Sequence, residues 1–253
     1  MVSDAPHPAA GSHPSIGGEV PPVLLRRLAE AHGLVHGDWE VEAAEDGGLF
    51  TAPIILVTLR GSARELRAAL DLGTRAYVEL GDDEELPAGL LAGLTGQLLL
   101  HLSLSTITSF SLDMAPQFCA ALLARGWLDA QRRADAEICV HEAVSNAIVH
   151  GNLDIHQGPS ADVGAFDSFF RAVQDRLADR AHANRRVTVE AVAGPEELCI
   201  RISDQGRGHS GLAPTSIDRL EAKSGRGLRI MDELADRVSF SDAGRTVNLY
   251  FRR

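Results

Sequence analysis

The segment HEAVSNAIVHGN, residues 141–152, carries two polar side chains on the outer side of an apolar helix pattern. Val140, Ala143, Val144, Ala147 and Ile148 recur at the spacing of a buried stripe, while Glu142 and Asn146 stand one turn apart on the other side. A carboxylate placed there can orient or deprotonate a nucleophile. An amide oxygen one turn on suits Mg²⁺, a hard cation that takes oxygen ligands and bridges phosphate oxygens. Two glycine-rich stretches follow: DQGRG (204–208) directly after a strand pattern, and SGRGL (224–228) directly before a helical one. Asp204 ends its strand, where its carboxylate can accept a hydrogen bond from an exocyclic amino group such as adenine N6. Gly206 and Gly208 let a flat ligand approach the main chain. Gly225 and Gly227 open a helix whose unpaired N–H groups favour phosphate, and Lys223 and Arg226 can add charge-assisted contacts. Each signal alone is weak, but their succession describes the parts of a Mg²⁺–nucleotide site.

These groups must be positioned by the elements around them. A strand pattern over 98–112 precedes a helix (115–127) and the Glu142/Asn146 helix from residue 134. Residues 153–164 read as loop, and Phe166, Phe169, Phe170, Val173 and Leu177 mark an amphipathic helix. VTVEAVA (187–193) and LCIRISD (198–204) alternate as a hairpin. A helix from Gly227 then leads to a last hairpin, VSFSD and TVNLYF. Helices first and antiparallel strands later predict an α/β sandwich with helices on one face of the sheet, over residues 98–253.

Ahead of it, residues 21–97 predict a smaller α/β unit: a helix at 23–32, strands at 39–43, 54–59 and 76–80, and helices at 62–73 and 83–94. Strand–helix alternation implies parallel strands with crossover helices. Residues 1–20, small, polar and Pro-rich, read as a disordered tail without a signal peptide's basic and apolar regions.

The formal charge of −11 (35 Asp and Glu against 24 Lys and Arg) argues against nucleic acid as a partner. Cys119, Cys139 and Cys199 lack metal spacing and read as buried thiols in a reducing compartment, so the expected location is cytoplasmic. From Leu86 to Leu112 no charged residue appears, yet Pro87, three glycines and period-two alternation speak for a strand and against a membrane span.

The order ExxxNA, DxGxG, GxGL across residues 98–253 resembles the GHKL ATPase superfamily, and most closely the bacterial anti-sigma-factor serine/threonine kinases, which share the HEAVSNAIVHG helix. The resemblance implies ATP and Mg²⁺ as cofactors, Glu142 as catalytic base and Asn146 as Mg²⁺ ligand. It places Asp204, Gly206 and Gly208 at adenine, and Gly225, Gly227 and Leu228 at the phosphate end of a lid. Thr246 would help hold adenine through water. The implied partner is an anti-sigma-factor antagonist or another small regulatory protein, with a sigma factor as a second partner and a homodimer as an open option. Two departures stand out. The usual DEGPG reads DQGRG, and the segment 153–186 is longer than in the smallest such kinases, with a helix read either as packing or as a partner dock.

PIILVTLRGSARELRAALDLGTRAYV (53–78) resembles the fourth strand, fourth helix and fifth strand of a response-regulator receiver domain, with Thr58 as the strand-four hydroxyl. The paired acidic residues and the phosphorylatable Asp of a receiver have no counterpart, and YVELG (77–81) stands in place of its Lys-Pro. The unit therefore reads as a receiver trimmed of phosphorylation and kept as a docking surface, or as an unrelated α/β segment.

Three functions follow. The first is a kinase acting on a serine or threonine of a small partner protein, which needs little beyond one base, one Mg²⁺ and a phosphate loop. The second is a nucleotide-sensing binding module without turnover. The third, a histidine kinase, is disfavoured because His141-Glu142 lies inside the ATP-site helix and no dimerising helix pair is visible.

Overall fold

The strands β1 (Ser15–Gly17), β2 (Val35–His36), β3 (Ile55–Thr58), β4 (Ala76–Glu79) and β5 (Leu98–Ser105) lie parallel in the order β2-β1-β3-β4-β5. This is an order that doubly wound sheets adopt. At β5 the sheet changes character. β6 (Arg186–Ala193), β7 (Glu197–Ser203), β8 (Arg237–Ser241) and β9 (Thr246–Arg252) continue it antiparallel as β5-β6-β7-β9-β8. The result is a mixed nine-stranded sheet in an α/β fold. The structure is a computed structural model that describes residues 14–37, 39, 52–156, 163–208 and 226–252.

Helices cover both faces unequally. On one face lie α1 (Pro22–His32) and α3 (Leu90–Thr95), whose Leu24, Leu25, Leu28, Leu90 and Leu94 pack on Ile16, Ile55, Val57 and Val78. On the other lie α2 (Ala63–Asp71), α5 (Met114–Ala124), α6 (Ala130–Asn146) and α9 (Arg226–Leu234), while α7 (Val163–Ala178) and α8 (Arg180–Ala183) lead the chain into β6. One core runs under them from Leu56 and Tyr77 through Leu100, Leu102 and Leu104 to Ile200, Ile202 and Leu249. The face of β6, β7 and β9 away from these helices carries Glu190, Arg201 and Asn248. Among the described residues, no helix is long and apolar enough to cross a membrane.

Several elements begin or end where a local polar group decides. Ser62 caps α2 by accepting from Glu65 N–H at 3.2 Å, and Asp129 starts α6 by accepting from Arg132 N–H at 2.8 Å. The strand pattern expected over 98–112 stops at Ser105, whose hydroxyl accepts from Thr108 N–H at 3.3 Å and begins the short helix α4 (Thr106–Ser111). The polar side of β5, expected to be the wetter one, is buried: His101 pairs with Glu190 at 3.0 Å, and Ser105 donates to Glu79 at 2.9 Å. The helix expected at 83–94 begins only at Leu90, after Pro87 and a left-handed Gly89 (φ 78). Ser15–Gly17, counted with the tail, forms β1 between β2 and β3. The stretch expected as fourth and fifth receiver strands supplies the third and fourth strands of this parallel order. The strand expected at 39–43 lies mostly outside the described residues, and Trp39 is buried outside any strand.

Candidate functional site

The stripe read from spacing, Val140, Ala143, Val144, Ala147 and Ile148, is buried, and α6 adds Ala136 and Cys139 to it and leaves Glu142 and Asn146 half-buried. At Ala147 its winding loosens into a π-helical turn, Ala147–Asn152. Such turns recur at functional sites because they re-aim the side chains that follow. Here the shift delivers Gly151 and Asn152 to the 204–208 loop.

Asp204 and Gly206 both seat on Gly151. A Cβ at position 151 would stand 2.6 and 2.7 Å from the two Asp204 carboxylate oxygens, and a Cβ on Gly206 would run into the Gly151 carbonyl. Two glycines thus meet without side chains, and the Asp204 carboxylate fits in the gap, accepting from Gly206 N–H at 2.7 Å. Burial pushes the Asp204 carboxyl up to about 6, while the Gly206 N–H and the Arg245 charge favour its ionised form. Gly208 adopts a left-handed conformation (φ 69) that brings it against the Ala243 carbonyl and the Arg245 stem.

Asn152, fully buried, holds this loop in place. Its Nδ2 donates to Thr106 Oγ1 at 2.9 Å and to the Arg186 carbonyl at 3.0 Å, and its Oδ1 accepts from Gln205 N–H at 2.8 Å. Gln205 returns the tie by accepting from Arg186 N–H at 2.8 Å. Arg207 reaches Asp154 at 3.7 Å. The departures from DEGPG therefore have local roles: Gln205 clamps the loop to β6, and Arg207 faces the turn after the helix.

The opposite wall is α9. Leu228 and Met231 bury its apolar side on α6, where the Cys139 thiol lies 4.0 Å from the Met231 carbonyl. One turn along, the absence of a side chain on Gly227 lets α9 close on the Glu142/Asn146 side of α6. A Cβ there would stand 2.6 Å from Glu142 Oε2 and 3.6 Å from Asn146 Nδ2. Burial also pushes the Cys119 and Cys139 thiols up to about 12, so both are poor nucleophiles.

The predicted residues thus divide. Gly227 meets Glu142 and Asn146 on α6, Asp204 and Gly206 meet Gly151 at the end of the π-helical turn that follows, and Gly208 lies against Ala243 and Arg245. Leu228 packs into the core, and Arg226 opens α9 exposed to solvent. Lys223 and Gly225 lie outside the described residues. Thr246 is not at the pocket. It pairs with Ser203, bonding its hydroxyl at 2.9 Å, and a strand's two-residue period puts both on the side away from Ile202, Val247 and Asp204. The residue beside Asp204 is Arg245, whose carbonyl accepts the Asp204 N–H at 3.0 Å. Gly151, Asn152 and Arg245 were missed. A glycine within a helical pattern was the one available sign for Gly151, since it costs helix stability and needs a packing reason.

No curated protein matches the chain. Glu142 and Asn146 precede the stretch matched by a family model and meet it through their approach to Gly227. Residues 168–251, which contain Asp204, Gly206, Gly208 and Gly227, match the family of the histidine kinase-like ATPase domain, a similarity that supports a GHKL-type assignment for this part of the fold.

Proposed function

We propose that the chain binds Mg²⁺–ATP between α6 and the 204–208 loop and transfers phosphate to a serine or threonine of a small regulatory protein, as an anti-sigma-factor kinase does. The observation that carries this reading is the convergence of Glu142 and Asn146 with Gly227 on one side and of Asp204 with Gly151 on the other. These residues fit the ligand. The Asp204 carboxylate, half-sequestered from water, can accept from an exocyclic amine, and the bare backbone of Gly206 and Gly208 admits a flat ring. Asn146 offers a neutral oxygen suited to Mg²⁺, and Gly227 brings the start of α9 to the same place.

When bound, Mg²⁺–ATP supplies the transferable phosphoryl group. The chain's own task is to position the reactants and take up a proton. The Glu142 carboxylate receives the proton of the attacking hydroxyl as that oxygen bonds to phosphorus, and the leaving oxygen departs with the diphosphate. Asp204 and the clamped loop would hold the base, and Asn146 would hold Mg²⁺ at the phosphates.

Calorimetric titration with ATP and a phosphorylation assay on partner candidates captured from the native cell test this. Asn146→Ala is expected to abolish Mg²⁺-dependent binding, whereas Glu142→Ala keeps binding and loses transfer. Unchanged Mg²⁺–ATP affinity in the Asn146 variant would overturn the metal assignment, and transfer that survives in Glu142→Ala would overturn the base assignment. Because the sequence of residues 21–97 offers no counterpart to a receiver's paired acidic residues and phosphorylatable Asp, incubation with acetyl phosphate should leave that half unlabelled.

A further inference from the structure

Arg245 occupies the place beside Asp204 that Thr246 was expected to hold. The ladder pairs Ile202 with Val247 and Ser203 with Thr246, and the Asp204 N–H donating to the Arg245 carbonyl at 3.0 Å extends it by one step. Arg245 itself leaves the strand in a helical turn conformation (φ −80, ψ −11), and its charge acts on the Asp204 carboxyl, favouring the ionised form. The stem of Arg245 lies along the loop: a Cβ on Gly208 would stand 3.1 Å from Arg245 Cγ.

The turn before it is built to present this side chain. Asp242, Ala243 and Gly244 all have positive φ (56, 56 and 84), a conformation that the first two residues adopt at a cost. Arg245 holds that turn, its Nε donating to the Asp242 carbonyl at 3.1 Å and an Nη to the Asp242 carboxylate at 2.9 Å. Its other Nη has no hydrogen-bond partner among the described residues. A guanidinium so held keeps donors available beside the Asp204 acceptor.

We propose that Arg245 is the second base-reading side chain of the pocket, donating to a ring nitrogen that flanks the exocyclic amine accepted by Asp204. The inference rests on the reading of the pocket as an ATP site. Adenine presents its N6 amine with an acceptor nitrogen on either side, so an acceptor beside a donor is the complementary pattern. Guanine places O6 where that amine would be, and the Asp204 carboxylate would meet a carbonyl oxygen.

The test is a double-mutant cycle across ligand and protein. Wild type, Arg245→Met, which keeps the stem, and Arg245→Lys are titrated with ATP, 1-deaza-ATP and 7-deaza-ATP, with a melting curve for each variant. One deaza analogue is expected to bind wild type about 10-fold more weakly than ATP, and that ratio should fall to about 2-fold or less in Arg245→Met. Arg245→Lys should recover part of the discrimination. ATP binding to wild type with no loss for either analogue, or with the same loss in Arg245→Met, overturns the role of Arg245 alone. Failure of wild type to bind ATP removes the nucleotide reading and this proposal with it. The wild-type arm does not depend on how either variant folds.

Discussion

The Asp204 carboxylate rests on the bare Cα of Gly151, and any side chain at 151 would occupy its place. The proposed base-binding end is thus built from a strand terminus and the end of a helix far apart in sequence. Gly151→Ala should push the carboxylate out of line. Overpacking of this kind costs about 1–3 kcal/mol, so the fold should survive. Nucleotide affinity is expected to fall by about 10-fold or more, measured by titration calorimetry beside a melting curve.

Gly227→Ala tests the other wall and should separate binding from transfer. The added methyl meets the far end of a flexible side chain, Glu142 Oε2, which can swing aside. Alanine also favours a helix over glycine by roughly 0.8–1 kcal/mol, so the melting temperature should stay level or rise. ATP binding should change little while phosphoryl transfer drops by about 10-fold or more, because a displaced base is poorly aligned with the hydroxyl. Single-turnover kinetics with a bound fluorescent nucleotide would read both.

The raised carboxyl of Asp204 sets opposite pH trends for stability and binding. Its folded-state value, about 6, lies above the usual 3.8 because burial penalises the charge. Its contribution to stability is therefore fully present below the usual value and is lost as pH rises through about 6. With part of the group in contact with solvent, the cost of ionisation is on the order of 1–2 kcal/mol. Binding needs the ionised acceptor and should weaken as pH falls through 6. Asp204→Asn should melt higher than wild type at pH 7.5, lose that advantage near pH 5, and bind ATP weakly at both. A wild-type affinity that is flat from pH 7.5 to 5.5 would contradict this.

How far the sequence leads depends on the range of the forces involved. The α6 stripe was legible because periodic burial writes itself into spacing, and the 187–204 hairpin for the same reason with period two. The end of β5 was not: Thr106, Ile107 and Thr108 favour a strand, and it is Ser105 as a cap, with Arg185 accepting from Thr106, that turns them into a helix. β1 exists because β2 and β3 flank it, a pairing no local pattern announces. Whether Thr246 or Arg245 stands beside Asp204 is a question of one residue of register, which depends on the partner strand and not on the local pattern. The π-helical turn that brings Gly151 and Asn152 to Asp204 likewise depends on the loop it meets. Glu142, Asn146, Asp204, Gly206 and Gly227 could be singled out in the sequence because the chemistry proposed for them restricts which residue types can do it.

The strand β5 is hydrogen-bonded along both edges, parallel to β4 and antiparallel to β6, and this bears on a cut at residue 98. Leu56, Leu66, Leu70 and Tyr77, from before that point, share a core with Leu102, Met114 and Phe118 after it. Arg186, at the start of β6, donates to the carbonyls of Glu79 and Ser103, tying β4 and β5 to the strand end whose backbone N–H holds Gln205 of the 204–208 loop. Removing residues 1–97 would expose the β5 edge and leave Arg186 with fewer acceptors, conditions that favour edge-to-edge association. A fragment of residues 98–253 is therefore expected to melt well below the full chain or to associate, and to bind ATP more weakly even though every proposed ATP contact is retained. Size-exclusion chromatography and hydrogen exchange would show it, with the loss of protection spreading from β5 into β6. A monomeric fragment that melts with the full chain and binds ATP equally well would instead make the first 97 residues an independent appendage.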